Sequence, residues 1–225
     1  VSVCVAAMGV IACAMAIQGW EVSSLVLGGL IVPIAGVLVF QVHRAVGQLR
    51  RQSTDVSDAA HRAAEHYVSM LRRVVRFVEA REQYTRGHSE RVGRLAEQVA
   101  RQMRRPEPYC RLLRVAGELH DIGLLAVPDN LLNMRANLSV SAFRTVKKHA
   151  EVSYEILKPL RALDPVLPAI LHHHERMNGT GYPKGLEGEC IPLGARILAV
   201  ADAYDAMTHD RPHRPAMPAL QAVEE

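Results

Sequence analysis

The sequence predicts an all-α protein: a helical bundle carried behind two apolar, membrane-length helices and a helical linker. Three observations predict it. Two uncharged stretches occupy the N-terminus, residues 1–17 and 22–42. Beyond them, apolar side chains recur at spacings of three and four between Gly/Pro loops, with no alternating strand pattern. Histidines and aspartates then fall in register with those apolar stripes, on the faces that helices turn toward a core.

Composition bounds what such a bundle can do. At 225 residues the chain has room for one or two domains, and 49% apolar residues exclude global disorder. One Trp, six Tyr and three Phe are too few for a base-stacking platform. The net charge is +4, but residues 1–42 hold no Lys or Arg and a single acid, Glu21. The excess of five positive charges spread over residues 43–225 is no footprint for DNA or RNA. Cys4, Cys13, Cys110 and Cys190 form no CxxC pair, so neither a disulfide framework nor a thiolate zinc site is expected. Histidine is the unusual residue: eleven in all, eight of them from His88 onward.

Within the N-terminal region, Ser2 is the one polar side chain of residues 1–17, and residues 22–42 read VSSLVLGGLIVPIAGVLVFQV. About 20 helical residues cross a ~30 Å hydrocarbon layer. The second run meets that length; the first, which opens on Val, is marginal. Gln18-Gly19-Trp20-Glu21 reads as a turn with an interfacial tryptophan. His43, Arg44, Arg50 and Arg51 follow the second run, and the positive-inside rule then places residues 43–225 in the cytoplasm. A signal peptide fits poorly, since no basic n-region precedes the first run.

Residues 43–78 read as a helical linker. Ala64, Val68, Leu71, Val75 and Val78 are spaced 4-3-4-3, a short heptad seam with Arg72, Arg73 and Arg76 off it. Such a seam either pairs two chains into a homodimer or packs on its own domain.

From residue 79 the histidines decide the chemistry. His88 precedes Val92, Leu95 and Val99; His120 follows Leu112 and Ala116, with Asp121 beside it and Gly123 ending the helix. His149 lies between Val146 and Ile156, and His173-His174 follow Leu167 and Ile170 on a helix expected to stop at Asn178-Gly179. Asp202 follows Leu198 and precedes Asp205. Burying so many unpaired polar groups would cost several kcal/mol each. Bound divalent cations would satisfy them together. Imidazole plus carboxylate without thiolate suits Fe, Mn, Zn or Co better than Mg or Ca. The ligand count suits two ions, and two ions about 3.5–4 Å apart clamp a phosphoryl group, so the constellation points to metal-assisted phosphoester hydrolysis.

The residues Glu79-x-Arg81-x-x-Tyr84-Thr85-x-Gly87-His88-Ser89-x-Arg91-Val92, Leu119-His120-Asp121-Ile122-Gly123, His173-His174-Glu175 and Gly181-Tyr182-Pro183 together resemble the HD-GYP domain. The match runs on through Ile191-Pro192-Leu193, Arg196-Ile197-Leu198 and Ala201-Asp202-Ala203-Tyr204-Asp205-Ala206 to Asp210-Arg211-Pro212-x-Arg214. The resemblance covers about residues 79–215. It implies an all-helical HD-superfamily hydrolase of bacteria that opens cyclic di-GMP at a di-iron or di-manganese centre, other transition ions (Zn, Co, Ni) being acceptable. It implies His88, His120, Asp121, His149, His173, His174 and Asp202 as ligands, with Asp121 bridging and Asp121 and His120 at the catalytic heart. A third ion, which some members hold through a Glu four residues before the first ligand histidine, is not expected, because Tyr84 stands there. Tyr182, Arg211 and Arg214 occupy the positions that contact the ligand's base and phosphates.

Departures from the family pattern are confined to the periphery. Leu124 replaces the lysine of HDIGK, Met134-Arg135-Ala136 replaces Lys-Pro-Gly, Met177-Asn178-Gly179 replaces Trp-Asp-Gly, and His213 replaces a tyrosine. The chain stops at Glu225, ahead of the helices with which members usually end. His172, His209 and His213 match no ligand position. The expectation is therefore a cyclic di-GMP phosphodiesterase of the bacterial inner membrane with its HD-GYP domain in the cytoplasm, yielding pGpG or GMP. Its rivals are a receptor that binds the nucleotide or a partner protein without turnover, which Leu124 favours, and a phosphohydrolase of another nucleotide.

Overall fold

The computed structural model describes residues 9–11, 13–14, 22–81, 86–134, 139–210 and 215–225. The chain divides into two compact units, Val1–Ala63 and Ala64–Glu225. The described residues form helices and no strand; Asn178 and Glu187 meet in one isolated bridge.

Helix α1 (Val22–Glu79) begins in the first unit, with Pro33 inside it. Ile31, Ile34, Val37, Val39 and Phe40 are all exposed there. From Ile31 onward it is the one described helix long and apolar enough to cross a membrane. Of the other expected span, residues 9–11 and 13–14 are helical, and the rest of residues 1–17 lies outside the described residues, as does the turn at 18–21.

The second unit takes the end of α1 and adds α2 (His88–Gln102), α3 (Glu107–Leu119), α4 (Asp129–Leu132), α5 (Val140–Lys147), α6 (His149–Leu157), α7 (Leu167–Leu171), α8 (Leu193–Thr208) and α9 (Ala219–Glu224). Three short 3₁₀ turns, Ile122–Ala126, Arg161–Leu163 and Gly188–Cys190, join them. The core is built from Val92, Leu113, Leu119, Leu157, Ile170 and Leu198, all essentially inaccessible. Leu71, Val75 and Val78 of α1 are buried with this unit, and Val68 packs against its core. The seam from Val68 to Val78 is thus filled by the chain's own domain, and that part of it is not free to pair with a second helix.

Helices α2 and α3 touch backbone to backbone: a Cβ on Gly117 would stand 2.7 Å from the Cα of Gly93. Because the two helices run in opposite directions at this contact, the start of α2 (His88) and the end of α3 (His120) meet at one end of the bundle. Two expected helix ends fall earlier than the sequence suggests. Helix α3 stops at Leu119 rather than at Gly123, and α7 stops at Leu171 rather than at Asn178-Gly179. The reason is directional. Consecutive side chains on an α-helix diverge by about 100°, so His120-Asp121 and His173-His174 can all face one centre only from turns just beyond their helices.

Candidate metal centre

Five segments deliver the candidate ligands: the first residue of α2, the turn after α3, the first residue of α6, the turn after α7, and the middle of α8. Asp121 sits among them and divides them. Its Oδ2 faces Nε2 of His120 at 3.1 Å and of His88 at 3.9 Å. Its Oδ1 faces Nε2 of His149 at 3.3 Å and of His173 at 3.8 Å. Two overlapping donor groups result, His88/His120/Asp121 and Asp121/His149/His173/His174, each with its donor atoms within 4.8 Å of one another. Asp202 joins on the first side, 3.3 Å from Nε2 of His88. All seven candidate ligands named from the sequence come together, with Asp121 between the two groups.

Close approach of backbone makes this possible. Gly123 lies against α6 so tightly that a Cβ would fall 2.0 Å from the carbonyl oxygen of His149 and 2.7 Å from the amide of Ser153. Its N–H donates to Ser153 Oγ at 2.8 Å. Asp121 and His149 are brought together by that contact.

The tautomers are set by backbone carbonyls. Nδ1 of His120, His149 and His173 lies 2.7, 2.6 and 2.6 Å from the carbonyl oxygens of Gly117, Val146 and Ile170, in each case three residues upstream. A carbonyl only accepts, so each Nδ1 carries the hydrogen and each Nε2 turns a lone pair to the centre. His88 is oriented by a carboxylate instead: its Nδ1 lies 2.8 Å from Asp205 Oδ2. Asp205, with its side chain 2% exposed, also accepts from Arg91 Nε at 2.6 Å and Nη2 at 3.0 Å. The turn before α2 is clamped from α1, where Glu79 accepts the N–H groups of Gly87 at 2.9 Å and Ser89 at 2.7 Å, on both sides of His88.

Electrostatics divides the imidazoles. Burial opposes charge on His88, yet the hydrogen bonds of Asp202 and Asp205 override it and raise its pKa to about 10, so a cation taking its Nε2 would displace a proton there. Burial likewise opposes charge on His120, where Asp121 prevails and the pKa rises. For His174, burial and the neighbouring His149 both disfavour a proton, and its pKa falls to about 3. Burial and the same crowding of imidazoles, His174 first, hold His173 well below the ordinary range. Burial would push Asp121 up, but His120 and His149 pull it well below the usual carboxylate value.

Divalent cations fit these residues. Nε2 of His120 and of His173 is buried without a hydrogen-bond partner, and Nε2 of His149 and His174 confront each other at 3.2 Å. Inward lone pairs beside an ionised carboxylate are the donor set of an imidazole–carboxylate metal site.

Beside the centre opens a cleft of about 270 Å³, lined by His88, Asp121, His149, His174, Asp202, Tyr182 and Leu124 among others. Tyr182 leans over His174, ring centroids 4.7 Å apart at 31°. Glu175 brings it there by accepting the amides of Lys184 at 2.7 Å and Leu186 at 3.0 Å, which folds the loop back on itself. The Lys147 ammonium stands 4.9 Å from the Tyr182 ring centroid and 4.6 Å from that of Phe143. Leu124 presents an apolar side chain to the cleft where the resemblance expects an ammonium.

Arg211, Arg214, Tyr84 and His213 lie outside the described residues. His172 faces Glu175 at 3.5 Å and His209 faces Asp205 at 3.2 Å, so neither belongs to the ligand set. The sequence reading missed the supporting partners: Asp205, Glu79, Arg91 and the three carbonyls. A signal for one of them existed. Asp205 lies three residues after Asp202, within one helical turn of a ligand, where a partner for a ligand histidine can sit.

A family profile described as an HD domain matches residues 72–225. A cyclic di-GMP phosphodiesterase of Pseudomonas aeruginosa is 40% identical over 179 residues, covering 76% of this chain and 43% of that protein. A cyclic di-GMP phosphodiesterase response regulator of Xanthomonas campestris is 36% identical over 75% of this chain and 48% of its own length. A 3′3′-cGAMP-specific phosphodiesterase of Vibrio cholerae is 39% identical over 67% of this chain and 33% of its own. The chain therefore spans less than half the length of these relatives. Among solved structures, an HDGYP protein of Bdellovibrio bacteriovorus superposes with a TM-score of 0.50 at 26% identity, over 61% of this chain and 44% of that one.

Proposed function

The chain belongs to the HD-domain family, and on that premise we propose that it is a metal-dependent phosphodiesterase that opens a 3′–5′ phosphodiester of cyclic di-GMP to give pGpG. The observation that carries the reading is Asp121, whose two carboxylate oxygens face two separate histidine groups. One group (His88, His120, Asp202) and the other (His149, His173, His174) would each hold an ion, with Asp121 shared between them. Divalent ions held there would supply Lewis acidity toward the phosphate and would activate water at neutral pH.

The chain's own residues supply the rest. Carbonyls and Asp205 hold the imidazoles in the tautomers that face inward. Tyr182 offers an aromatic face at the edge of the cleft, suited to a purine. Arg211 and Arg214 are proposed to pair with phosphate oxygens, which guanidinium groups do bidentately. Support for a cyclic dinucleotide as substrate comes from the relatives' names, which divide between cyclic di-GMP and 3′3′-cGAMP. Location at a bacterial inner membrane, with the second unit cytoplasmic, rests on the apolar run through Val42 and the basic residues after it. A second reading, ligand binding without turnover, is favoured by one observation, the apolar Leu124 in the cleft.

The test uses the full chain purified anaerobically under reducing conditions. Elemental analysis should find close to two transition-metal ions per chain, and cyclic di-GMP should be converted to pGpG faster than 3′3′-cGAMP is opened. Less than half an ion per folded chain would sink the hydrolase reading; two ions with tight nucleotide binding and no product would install the receptor.

A further inference from the structure

The linker stripe that packs on the second unit has a neighbour that is mostly exposed, although Val74 within it packs against that unit's core. Counted along α1, Val42, Val46, Leu49 and Val56 belong to a repeat of alternating four- and three-residue steps. The same count, carried through Ser53, Ala60 and Ala63, arrives at Tyr67, Met70, Val74 and Phe77 without a stutter. Leu49, Val56, Met70 and Phe77 are 64, 69, 58 and 67% exposed, whereas Leu71, Val75 and Val78, on the adjacent stripe, are buried.

We propose that this second stripe, residues 42–77, is the seam of a parallel two-stranded coiled coil whose partner is a second copy of this chain.

Length supports it. Residues 42–77 span five heptads, with large apolar side chains at a and d in residues 42–49 and 67–77, and an apolar a/d repeat of such length is the mark of a coiled coil. Composition allows two strands. Val46 at a followed by Leu49 at d is the pairing that favours dimers, while Ser53, Ala60 and Tyr67 at a and Val42, Val56, Ala63 and Phe77 at d carry no such preference. Charge permits the parallel, in-register pairing: Arg50 is matched with Ala45 and Arg73 with the uncharged position 78, so no like charges oppose each other. Parallel pairing also puts the apolar run of residues 22–42 at the same end of both copies. Small residues in the middle of the seam (Ser53, Ala60, Ala63) weaken its packing there. The arrangement leaves the Ala64–Val78 stripe where the structure puts it, on the domain, while the adjacent stripe of the same helix binds the partner.

The inference is independent of the hydrolase reading, and its test needs no activity. In the full chain freed of native cysteines (Cys4, Cys13 and Cys190 to Ser, Cys110 to Ala), single cysteines are placed on the seam by Leu49→Cys, Val56→Cys and Met70→Cys. Controls off the seam are Gln48→Cys, Asp55→Cys and Ser69→Cys. In membrane vesicles under mild oxidation, seam positions should form covalent dimers at least about fivefold faster than controls, as knobs packed across a dimer axis do. The detergent-solubilised chain should have a dimer's mass at micromolar concentration, and Val56→Glu with Met70→Glu should return it to a monomer. Equal rates at seam and control positions overturn the proposal. So does a monomeric mass for the unmodified chain, which would leave the stripe to a different protein or to lipid.

Discussion

Asp205 offers the sharpest probe of how the centre is held. Its carboxylate takes Nδ1–H of His88 at 2.8 Å and two N–H groups of Arg91 at 2.6 and 3.0 Å. In Asp205→Asn the size is kept, but one of the two acceptor oxygens becomes an NH2 that faces a donor. Either His88 or Arg91 then loses its partner. A freed His88 has no group to keep its hydrogen on Nδ1, so Nε2 no longer presents a lone pair reliably. Losing such a partner costs about 10–100-fold in metal affinity, or about 1.4–2.8 kcal/mol. Chelator-competition titration with Mn(II), with circular dichroism to confirm the fold, reads the change directly. Glu90→Gln, at an exposed partner of Arg94, serves as control and should leave affinity unchanged. An affinity for Asp205→Asn within threefold of the unmodified protein, on an intact fold, would refute the assignment of Asp205 as the group that orients His88.

Three further outcomes follow from other parts of the structure. Gly123→Ala forces a Cβ to 2.0 Å from the His149 carbonyl oxygen, and overpacking of about 1–3 kcal/mol should lower Tm by roughly 2–12 °C for a unit of this size; an unchanged melting curve would show that the α6 contact gives way easily. Leu124→Lys places an ammonium in the cleft, and charge stabilisation worth about 2.7–4 kcal/mol should raise turnover by at least about tenfold with a much smaller change in nucleotide affinity; no gain over the unmodified rate would mean that this position does not meet the substrate. A reporter fused after Glu225 should register as cytoplasmic and one inserted at Gly19 as external, and the reverse pattern would overturn the membrane reading.

The helical class was legible in the sequence, and so were the residues that the structure gathers round Asp121. A 3.6-residue period marks the apolar face, and a His or Asp on that face must find a partner or a cation; the assignment of all seven as ligands came from the resemblance. That period does not say where a helix ends. The turns after Leu119 and Leu171, which let His120-Asp121 and His173-His174 each face one centre, depend on contacts between segments far apart in the chain, such as Gly123 against α6. Nor does the period say what covers a face. On α1 two apolar stripes run side by side, one through Leu71, Val75 and Val78 and one through Met70, Val74 and Phe77. The sequence reading left the first as either a dimer seam or a stripe packed on its own domain, and tertiary packing decided for the domain, leaving much of the second in solvent. Asp205 marks the same boundary. Its spacing from Asp202 is written in the sequence, but its bond to His88, 117 residues away, exists only because α2 and α8 pack together. Periodicity is a property of one helix, while burial and orientation belong to pairs of them.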